Sequence, residues 1–168
     1  PNILADDMFS LLRGRVRPTL YLDLVFGRDS SIKTSTFGQA LVCVNTNHVY
    51  GSKSLEEDPT YKMAFQSLKG RRAISKGESM EVEDSHDLIQ YLMIQMNSAA
   101  GTVLSQNRCG IYRCFEGKNR DMVSSKTSPQ LKRFLRGWGG KGSYRDASEN
   151  TGHSILGLDA YAQVTSPI

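Results

Sequence analysis

The stretch HSILGLDAYAQVTSPI, His153 to Ile168, carries more information about this chain than any other part of the sequence. It includes Thr165, Ser166 and Pro167, which predict a turn that proline stabilises. Hydroxyl groups and exposed amides at such a turn can bind the oxygens of a phosphate group. The same residues also fit a purely structural role, in which Ser166 caps a helix that starts with Pro167. Taken alone, the turn leaves both interpretations open.

A long helix is predicted upstream of that stretch. Apolar residues recur at helical spacing from Ser85 to about Leu104, which is typical of a helix that is apolar on one side. The predicted apolar stripe consists of Leu88, Leu92, Met96, Ala99 and Val103. Polar amides, including Gln90 and Asn97, lie on the same helix.

The first part of the chain predicts two antiparallel strands and a helix. RPTLYLDLVF, residues 17–26, alternates in the period-2 pattern of a strand with one buried face, and FGQALVCVNTNHVY, residues 37–50, can pair with it. A helix is predicted to follow, with Asp58 as its N-cap, Pro59 at its first position and Gly70 near its end. One face of this helix is predicted to carry Tyr61, Phe65 and Leu68.

Composition and charge limit the class of protein. The chain has 168 residues, 39% of them apolar, which is enough to build one globular domain. No apolar run approaches the roughly 20 residues that span a bilayer, so we predict a soluble protein without a membrane partner. A formal net charge of +4 permits a polyanionic partner without requiring one. The three cysteines and three histidines lack the spacing of a zinc site.

Residues throughout the chain resemble, in the same order, the catalytic domain of the ribonuclease II and ribonuclease R family, the RNB domain. The family has a segment close to GL-x-L-x-x-YAHFTSPI, and the matching residues here are Leu156, Gly157, Leu158, Tyr161, Thr165, Ser166, Pro167 and Ile168. In the long helix, Met93, Asn97 and Ala100 match the family's VEEFMLLAN-x-x-A pattern, and Tyr61 matches its LTY helix start. Near the start of the chain, the matching residues are Pro1, Leu4, Ser10, Leu11, Arg17, Pro18 and Leu20.

The resemblance implies an α+β fold, in which antiparallel strands pack with a long central helix. Residues 1–168 are then part of one RNB catalytic domain that is truncated at both ends. The parent protein is expected to be a 3′–5′ exoribonuclease that hydrolyses single-stranded RNA processively to nucleoside 5′-monophosphates. The family implies Mg²⁺ bound by aspartates upstream of residue 1. No catalytic or metal-binding residue is therefore assigned within the chain, and the chain alone is expected to be inactive.

The resemblance also implies the partners and the location. Single-stranded RNA is the implied partner, and an RNA-degradation complex is a further one. The implied location is cytoplasmic, with nuclear and organellar locations left open.

The residues to which the resemblance assigns RNA binding are Tyr61, Asn97, Tyr161, Thr165, Ser166 and Pro167. Tyr61 matches an aromatic residue that contacts the 3′-terminal nucleotide, although packing against Phe65 on its own helix is an equal alternative. For Asn97 a structural role is preferred, because buried amides normally bond within the protein. The arginines of LLRGRVRP, Arg13, Arg15 and Arg17, are interpreted as surface charges that steer RNA rather than as specific contacts.

The chain departs from the family pattern at two places. Gln90 and Tyr91 stand where the family has adjacent carboxylates, one of which is implied to read the ribose, so discrimination between RNA and DNA is in doubt. Gln163 replaces a histidine, which removes a titratable ring. These departures motivate the alternative of a degenerate RNB-like protein that binds RNA without cutting it. An unrelated α+β domain with accidental matches is the third hypothesis.

Overall fold

The computed structural model describes residues 3–27, 32–70, 81–115 and 142–165. It mixes helices with antiparallel strand pairs, so the predicted α+β class is confirmed. The chain forms two compact units, Pro1–Leu68 and Lys69–Ile168. The assignment of residues 1–168 to a single partial catalytic domain stays a prediction. No helix within the described ranges is both long and apolar enough to cross a membrane.

The first unit is built around a long antiparallel strand pair. Its elements are a π-helical turn Ile3–Met8, strands β1 (Val16–Phe26) and β2 (Ile32–Cys43), and helices α1 (Lys53–Glu57) and α2 (Pro59–Leu68). The two strands pair in register from Val16 opposite Cys43 to Val25 opposite Thr34. The prediction of β1 is confirmed, and so is its antiparallel pairing with the strand that follows.

The bounds of β2 differ from the prediction. The strand begins at Ile32 rather than Phe37, and it ends at Cys43 rather than Tyr50. Residues 32–36 are all exposed, so this part of the strand lacks the alternation of apolar and polar residues that marks a half-buried strand. Asn, Thr and His residues follow Val44 and favour local turns over a continued strand.

Helix α2 has the N-terminus that its sequence predicts. The Asp58 carboxylate accepts hydrogen bonds from the backbone N–H groups of Thr60 (2.8 Å) and Tyr61 (2.9 Å), and Pro59 is the first helical residue. Because these bonds favour the ionised form, they lower the pKa of Asp58, with the Tyr61 bond as the largest cause. Gly70 adopts a left-handed φ of 73° just beyond the helix, where glycine is favoured.

The second unit contains the predicted long helix and a short strand pair. Its elements are α3 (Ser85–Gln106), β3 (Ile111–Phe115) and β4 (Gly142–Asp146). The Asp84 side chain caps α3 by accepting a hydrogen bond from the Asp87 N–H (2.9 Å). Strands β3 and β4 pair antiparallel, with Ile111 opposite Asp146 and Phe115 opposite Gly142. No strand was assigned to either segment from the sequence.

The apolar stripe predicted for α3 shares only Leu88 with the buried side of the helix. The buried residues are Leu88, Tyr91, Ile94, Asn97, Ala100 and Gly101. Leu92, Met96 and Ala99 are half-buried, and Val103 is exposed. Two apolar series run along this helix at similar spacing. The buried one includes a tyrosine, an asparagine and a glycine, which hydrophobicity alone ranks below leucine and methionine.

Candidate nucleic-acid interface

The segment that leads to the predicted turn is joined by its backbone to β3. The Phe115 N–H donates to the Gly152 carbonyl (3.0 Å), and the Arg113 N–H donates to the Tyr161 carbonyl (2.8 Å). Between these two points His153 and Leu158 exchange backbone hydrogen bonds of 2.7 and 3.3 Å, which closes a loop. Strand β3 therefore fixes both ends of this loop.

Asn97 holds the next residues against helix α3. We call residues 160–165 the anchored segment. The Asn97 side chain is completely buried, with 0% exposure, and its carbonyl oxygen accepts from the N–H groups of Val164 (2.9 Å) and Thr165 (3.2 Å). Its amide nitrogen donates to the Tyr161 hydroxyl (3.0 Å) and to the Thr165 hydroxyl (3.0 Å). The Asn97 backbone carbonyl accepts from the Ala162 N–H (3.2 Å). One residue of α3 thus sets the path of the segment.

Gly101 allows the anchored segment to approach α3 closely. A Cβ atom at this position would lie 2.7 Å from the Ala160 carbonyl oxygen and 2.9 Å from the Tyr161 nitrogen. Both distances are shorter than real Cβ contacts, and both atoms belong to the backbone, which cannot swing away as a side chain can. The glycine is therefore needed for packing, one helical turn after Asn97.

An aromatic group packs beneath the segment. The His153 ring stacks on Phe115 with 5.6 Å between centroids and meets the Tyr161 ring edge-on at 5.1 Å. Burial is the main cause that lowers the pKa of His153, and the positive charge of Arg113 adds to it, so the ring favours its neutral form. Burial raises the pKa of the Tyr161 hydroxyl, although the hydrogen bond from Asn97 opposes this shift.

Arg113, Tyr144 and Gln163 form a second, more exposed group, which we call the arginine cluster. The Gln163 carbonyl oxygen accepts from Arg113 Nη1 (2.7 Å) and from the Tyr144 hydroxyl (2.8 Å). The guanidinium carbon of Arg113 lies 5.8 Å from the centroid of the Tyr144 ring. Tyr144 is 60% exposed. Gln163 belongs to the anchored segment, so the arginine cluster and Asn97 both bind the same stretch of chain.

Three of the six predicted RNA-binding residues come together in the second unit. Asn97, Tyr161 and Thr165 are joined by hydrogen bonds, while Ser166 and Pro167 lie outside the described residues. Both the N–H and the hydroxyl of Thr165 are directed to Asn97. The structural role that was preferred for Asn97 matches these contacts. Direct contacts of these residues with RNA stay a prediction.

Tyr61 belongs to the first unit. It is half-buried, and its ring stacks on Phe65 with 5.7 Å between centroids and 25° between planes. This is the intrahelical packing that was the alternative to a nucleotide contact. The stacking of a base on Tyr61 stays a prediction.

The arginines near β1 differ in their surroundings. Arg17 forms an ion pair with the Asp7 carboxylate (2.6 Å) and also donates to the Ser10 carbonyl (3.4 Å). Its side chain thus ties the N-terminal turn to β1, a more specific role than the steering charge that the sequence suggested. Arg13 and Arg15 are exposed.

Arg113 and Tyr144 were missed by the sequence analysis. They lie 31 positions apart, so no local periodicity links them. Their proximity follows from the pairing of β3 with β4, in which Arg113 lies opposite Tyr144. The one available signal was Gln163, which the departure from the family pattern had already singled out.

Gln90 and Tyr91, at the other departure from the family pattern, differ in burial. Tyr91, at one of the positions where the resembled family has carboxylates, is buried in α3, and Gln90 is half-buried. Within the described ranges no group of three or more His, Cys, Asp or Glu side chains could hold a metal ion. The donor set that Mg²⁺ prefers, several converging carboxylates, does not occur there. No step of metal chemistry can be assigned to a described residue.

Comparison with solved structures finds this fold in RNase R from Mycoplasma genitalium. The apo form and the complex with ribose-methylated single-stranded RNA each match with a TM-score of 0.61 at 16% identity, over 100% of this chain and 37% of theirs. The complex with double-stranded RNA matches with a TM-score of 0.62 at 15% identity, over 100% of this chain and 42% of that one.

These matches support the predicted resemblance at the level of the fold. The chain spans less than half the length of the RNase R structures. No protein-family model matches the sequence, and no curated protein matches it either.

Proposed function

We propose that this chain is the RNA-holding part of a 3′–5′ exoribonuclease, which degrades single-stranded RNA processively to nucleoside 5′-monophosphates. The observation that carries the proposal is the fold match to RNase R over the whole chain. Structures of that protein include complexes with single-stranded and with double-stranded RNA. The RNB resemblance of the ordered sequence motifs supports the same assignment.

In this proposal α3 positions the RNA-binding turn. Asn97 and Tyr161 hold the anchored segment, and the segment delivers Thr165, Ser166 and Pro167 to the RNA backbone. Because Asn97 already bonds the N–H and the hydroxyl of Thr165, the Ser166 hydroxyl is the group assigned to the phosphate oxygens, which provide register along a nucleic acid without reading its sequence. Tyr61 contributes a stacking surface for a terminal base.

Cleavage in the parent protein is assigned to Mg²⁺ bound by aspartates outside this chain. The metal would activate water and stabilise the departing oxygen. The described residues offer no carboxylate cluster for that task. The chain by itself is therefore expected to bind RNA and not to shorten it. Membership of an RNA-degradation complex and a cytoplasmic location belong to the same proposal.

The second candidate is a non-catalytic RNA-binding protein of the same fold. The burial of Tyr91 favours it, because a buried phenol at a position of the family's carboxylates cannot supply their negative charge. Sequencing the encoding DNA outward in both directions separates the candidates. An upstream aspartate cluster favours the nuclease, and its replacement by other residues favours the binding protein.

The proposed function is tested with a fluorescein-labelled oligouridylate of about 12 nucleotides, a length within the usual range for single-strand sites. Fluorescence anisotropy at about 50 mM salt is expected to show binding that weakens as salt rises. A gel of the same RNA with Mg²⁺ is expected to show no shortening. Absence of binding would overturn the proposal, and Mg²⁺-dependent shortening would overturn the assignment of the metal to residues outside the chain.

Deoxyuridylate of the same length is a useful comparison. Gln90 and Tyr91 replace the carboxylates that the family is implied to use on the ribose. We therefore expect the affinities of the two oligonucleotides to differ by less than about threefold. One good hydrogen bond between a charged group and the ribose would give a larger difference in affinity. A strong preference for RNA would place a ribose contact elsewhere in the chain.

A further inference from the structure

We propose that the arginine cluster is a nucleotide-binding point for single-stranded RNA, in which Arg113 binds a phosphate and Tyr144 stacks on the neighbouring base. The inference deepens the proposed function and rests on it, because it adds two contact residues to the same RNA path. Neither residue belongs to the motifs that carry the family resemblance.

Arg113 keeps its positive charge in this cluster. Its guanidinium is held by a neutral acceptor, the Gln163 carbonyl oxygen at 2.7 Å, and by the Tyr144 hydroxyl at 3.3 Å. Within the described part of the chain, the ion pairs of arginine and lysine side chains join Arg17 to Asp7 and Lys53 to Glu57, and none includes Arg113. The guanidinium is thus oriented without being neutralised, as a phosphate site requires.

Tyr144 exposes most of its surface. A tyrosine that served only to fill a core would be buried, yet this residue keeps 60% of its surface exposed. Its hydroxyl is fixed by the bond to Gln163 (2.8 Å), so the ring is held in place at its far end. A fixed, exposed aromatic ring beside an arginine is the combination on which bases of single-stranded nucleic acids stack.

The arginine cluster is joined to the anchored segment. Gln163 lies two residues before Thr165, in the segment that α3 holds through Asn97. The backbone of Arg113 is joined to Tyr161 of the same segment. An RNA strand that meets Thr165 would therefore have this cluster close by. The buried Asn97 contacts keep the exposed cluster in a fixed place relative to Thr165.

The test measures binding of the labelled oligouridylate to the whole chain and to matched variants. Arg113→Gln is expected to weaken binding at least about tenfold, the loss of one hydrogen-bonded charge. It is also expected to reduce the slope of log affinity against log salt by about 0.7, the value for one phosphate contact on a single strand. Tyr144→Leu is expected to weaken binding by about fivefold or more, while Tyr144→Phe, which keeps the stacking ring but loses its bond to Gln163, is expected to weaken it less than Tyr144→Leu does.

Gln163→Glu tests the charge argument without removing the arginine. A carboxylate in place of the Gln163 carbonyl would pair with Arg113 and neutralise it, so affinity is expected to fall about as far as in Arg113→Gln. Arg145→Gln is the matched control, because it removes the same charge from the next residue of β4 after Tyr144. The control is expected to lose less than about threefold, the effect of one non-specific charge.

The outcomes distinguish the inference from the proposed function. Circular dichroism verifies that each variant keeps the fold before its affinity is compared. If the unaltered chain binds RNA but Arg113→Gln and Arg145→Gln lose equally little, with equal salt slopes, the cluster is not a contact point while the proposed function stands. If the unaltered chain does not bind, both the proposed function and this inference fail.

Discussion

The two strand pairs of this chain bury their side chains to very different degrees. Strands β1 and β2 together span 23 residues, and every one of these residues is exposed or half-buried. Strands β3 and β4 have only five residues each, yet Tyr112 and Cys114 in β3 keep 1% of their surface exposed. Length alone therefore says little about which strand pair is held more firmly.

The difference comes from what lies beside each pair. Strand β3 exchanges backbone hydrogen bonds with the loop from Gly152 to Tyr161, and this loop is itself bonded to α3 through Asn97. Within the described ranges, the β1–β2 pair is joined by its own ladder, with a bulge between Val25 and Phe26. The exposed arginine cluster is therefore attached to a strand with buried side chains and to a segment bonded to α3, which suits a binding surface.

The largest effect is expected from Asn97→Ala. The change removes the acceptor of the Thr165 N–H and the donor to the Tyr161 hydroxyl, while the Val164 N–H keeps the Ala162 carbonyl (3.0 Å). Each buried polar group left unsatisfied costs about 1–3 kcal/mol. We expect the free energy of unfolding to fall by about 3 kcal/mol, measured by urea denaturation. Asn45→Ala, at an exposed bend after β2, is the control and should change it by less than about 0.5 kcal/mol. Equal effects of the two changes would remove the contrast.

A smaller loss is expected from Gly101→Ala. Alanine is the better helix former, but its Cβ would lie 2.7 Å from the Ala160 carbonyl oxygen. We expect a net destabilisation of about 1–3 kcal/mol in urea denaturation, typical of overpacking. Ser105→Ala, on the exposed surface of the same helix, should be neutral or slightly stabilising. A stabilising Gly101→Ala would show that the anchored segment does not need its close approach to α3.

A pH-dependent effect is expected from His153. Its pKa in the folded chain is lowered from the ordinary value of 6.5, so the unfolded chain binds the proton more readily. The stabilisation by the neutral ring is fully present above pH 6.5 and is lost as the pH falls below this value. We expect the urea concentration at the unfolding midpoint to decrease as the pH is lowered from about 7.5 to about 5, because histidine titrates in that range.

The His153→Phe variant should lose this part of the pH dependence, because phenylalanine keeps the ring packing but cannot bind a proton. His86→Gln, at an exposed position of α3, should retain it. An unchanged pH profile in His153→Phe would mean that other groups cause the dependence.

The smallest effect is expected in β2. Leu41 is 75% exposed, so replacing it by serine removes little buried apolar surface. We expect Leu41→Ser to change the free energy of unfolding by less than about 0.5 kcal/mol in urea denaturation. A loss comparable to that of Asn97→Ala would show that this side chain has apolar contacts that its exposure does not reveal.

The sequence predicts the local elements of this chain well. The alternation in residues 17–26 predicts β1, the Asp58–Pro59 pair predicts the start of α2, and the helix starting at Ser85 ends within two residues of the expected position. These features depend on short-range physics, namely side-chain alternation, capping and the fixed φ of proline. Local signals of this kind are present in the residues themselves.

The features that the sequence did not predict depend on contacts between distant residues. The buried side of α3 includes Asn97 and Gly101 because residues 160–165 pack there, and the helix sequence alone does not record that neighbour. The pairing of β3 with β4 joins residues separated by a long gap, so Arg113 and Tyr144 could not be grouped. Gln163 was recognised only as a departure from a family pattern, and its role as a hydrogen-bond acceptor required the structure.

The most direct test of the account is to map where RNA touches the chain. Oligouridylate that carries 4-thiouridine is bound to the whole chain, crosslinked with light, and the crosslinked peptides are identified by mass spectrometry. We predict crosslinks in the peptides that contain Arg113, Tyr144 and residues 160–168, and their loss from the Tyr144 peptide in Tyr144→Leu. Crosslinks confined to β1 and β2, or none above the level of an unrelated protein, would contradict the claim that the anchored segment and the arginine cluster hold RNA.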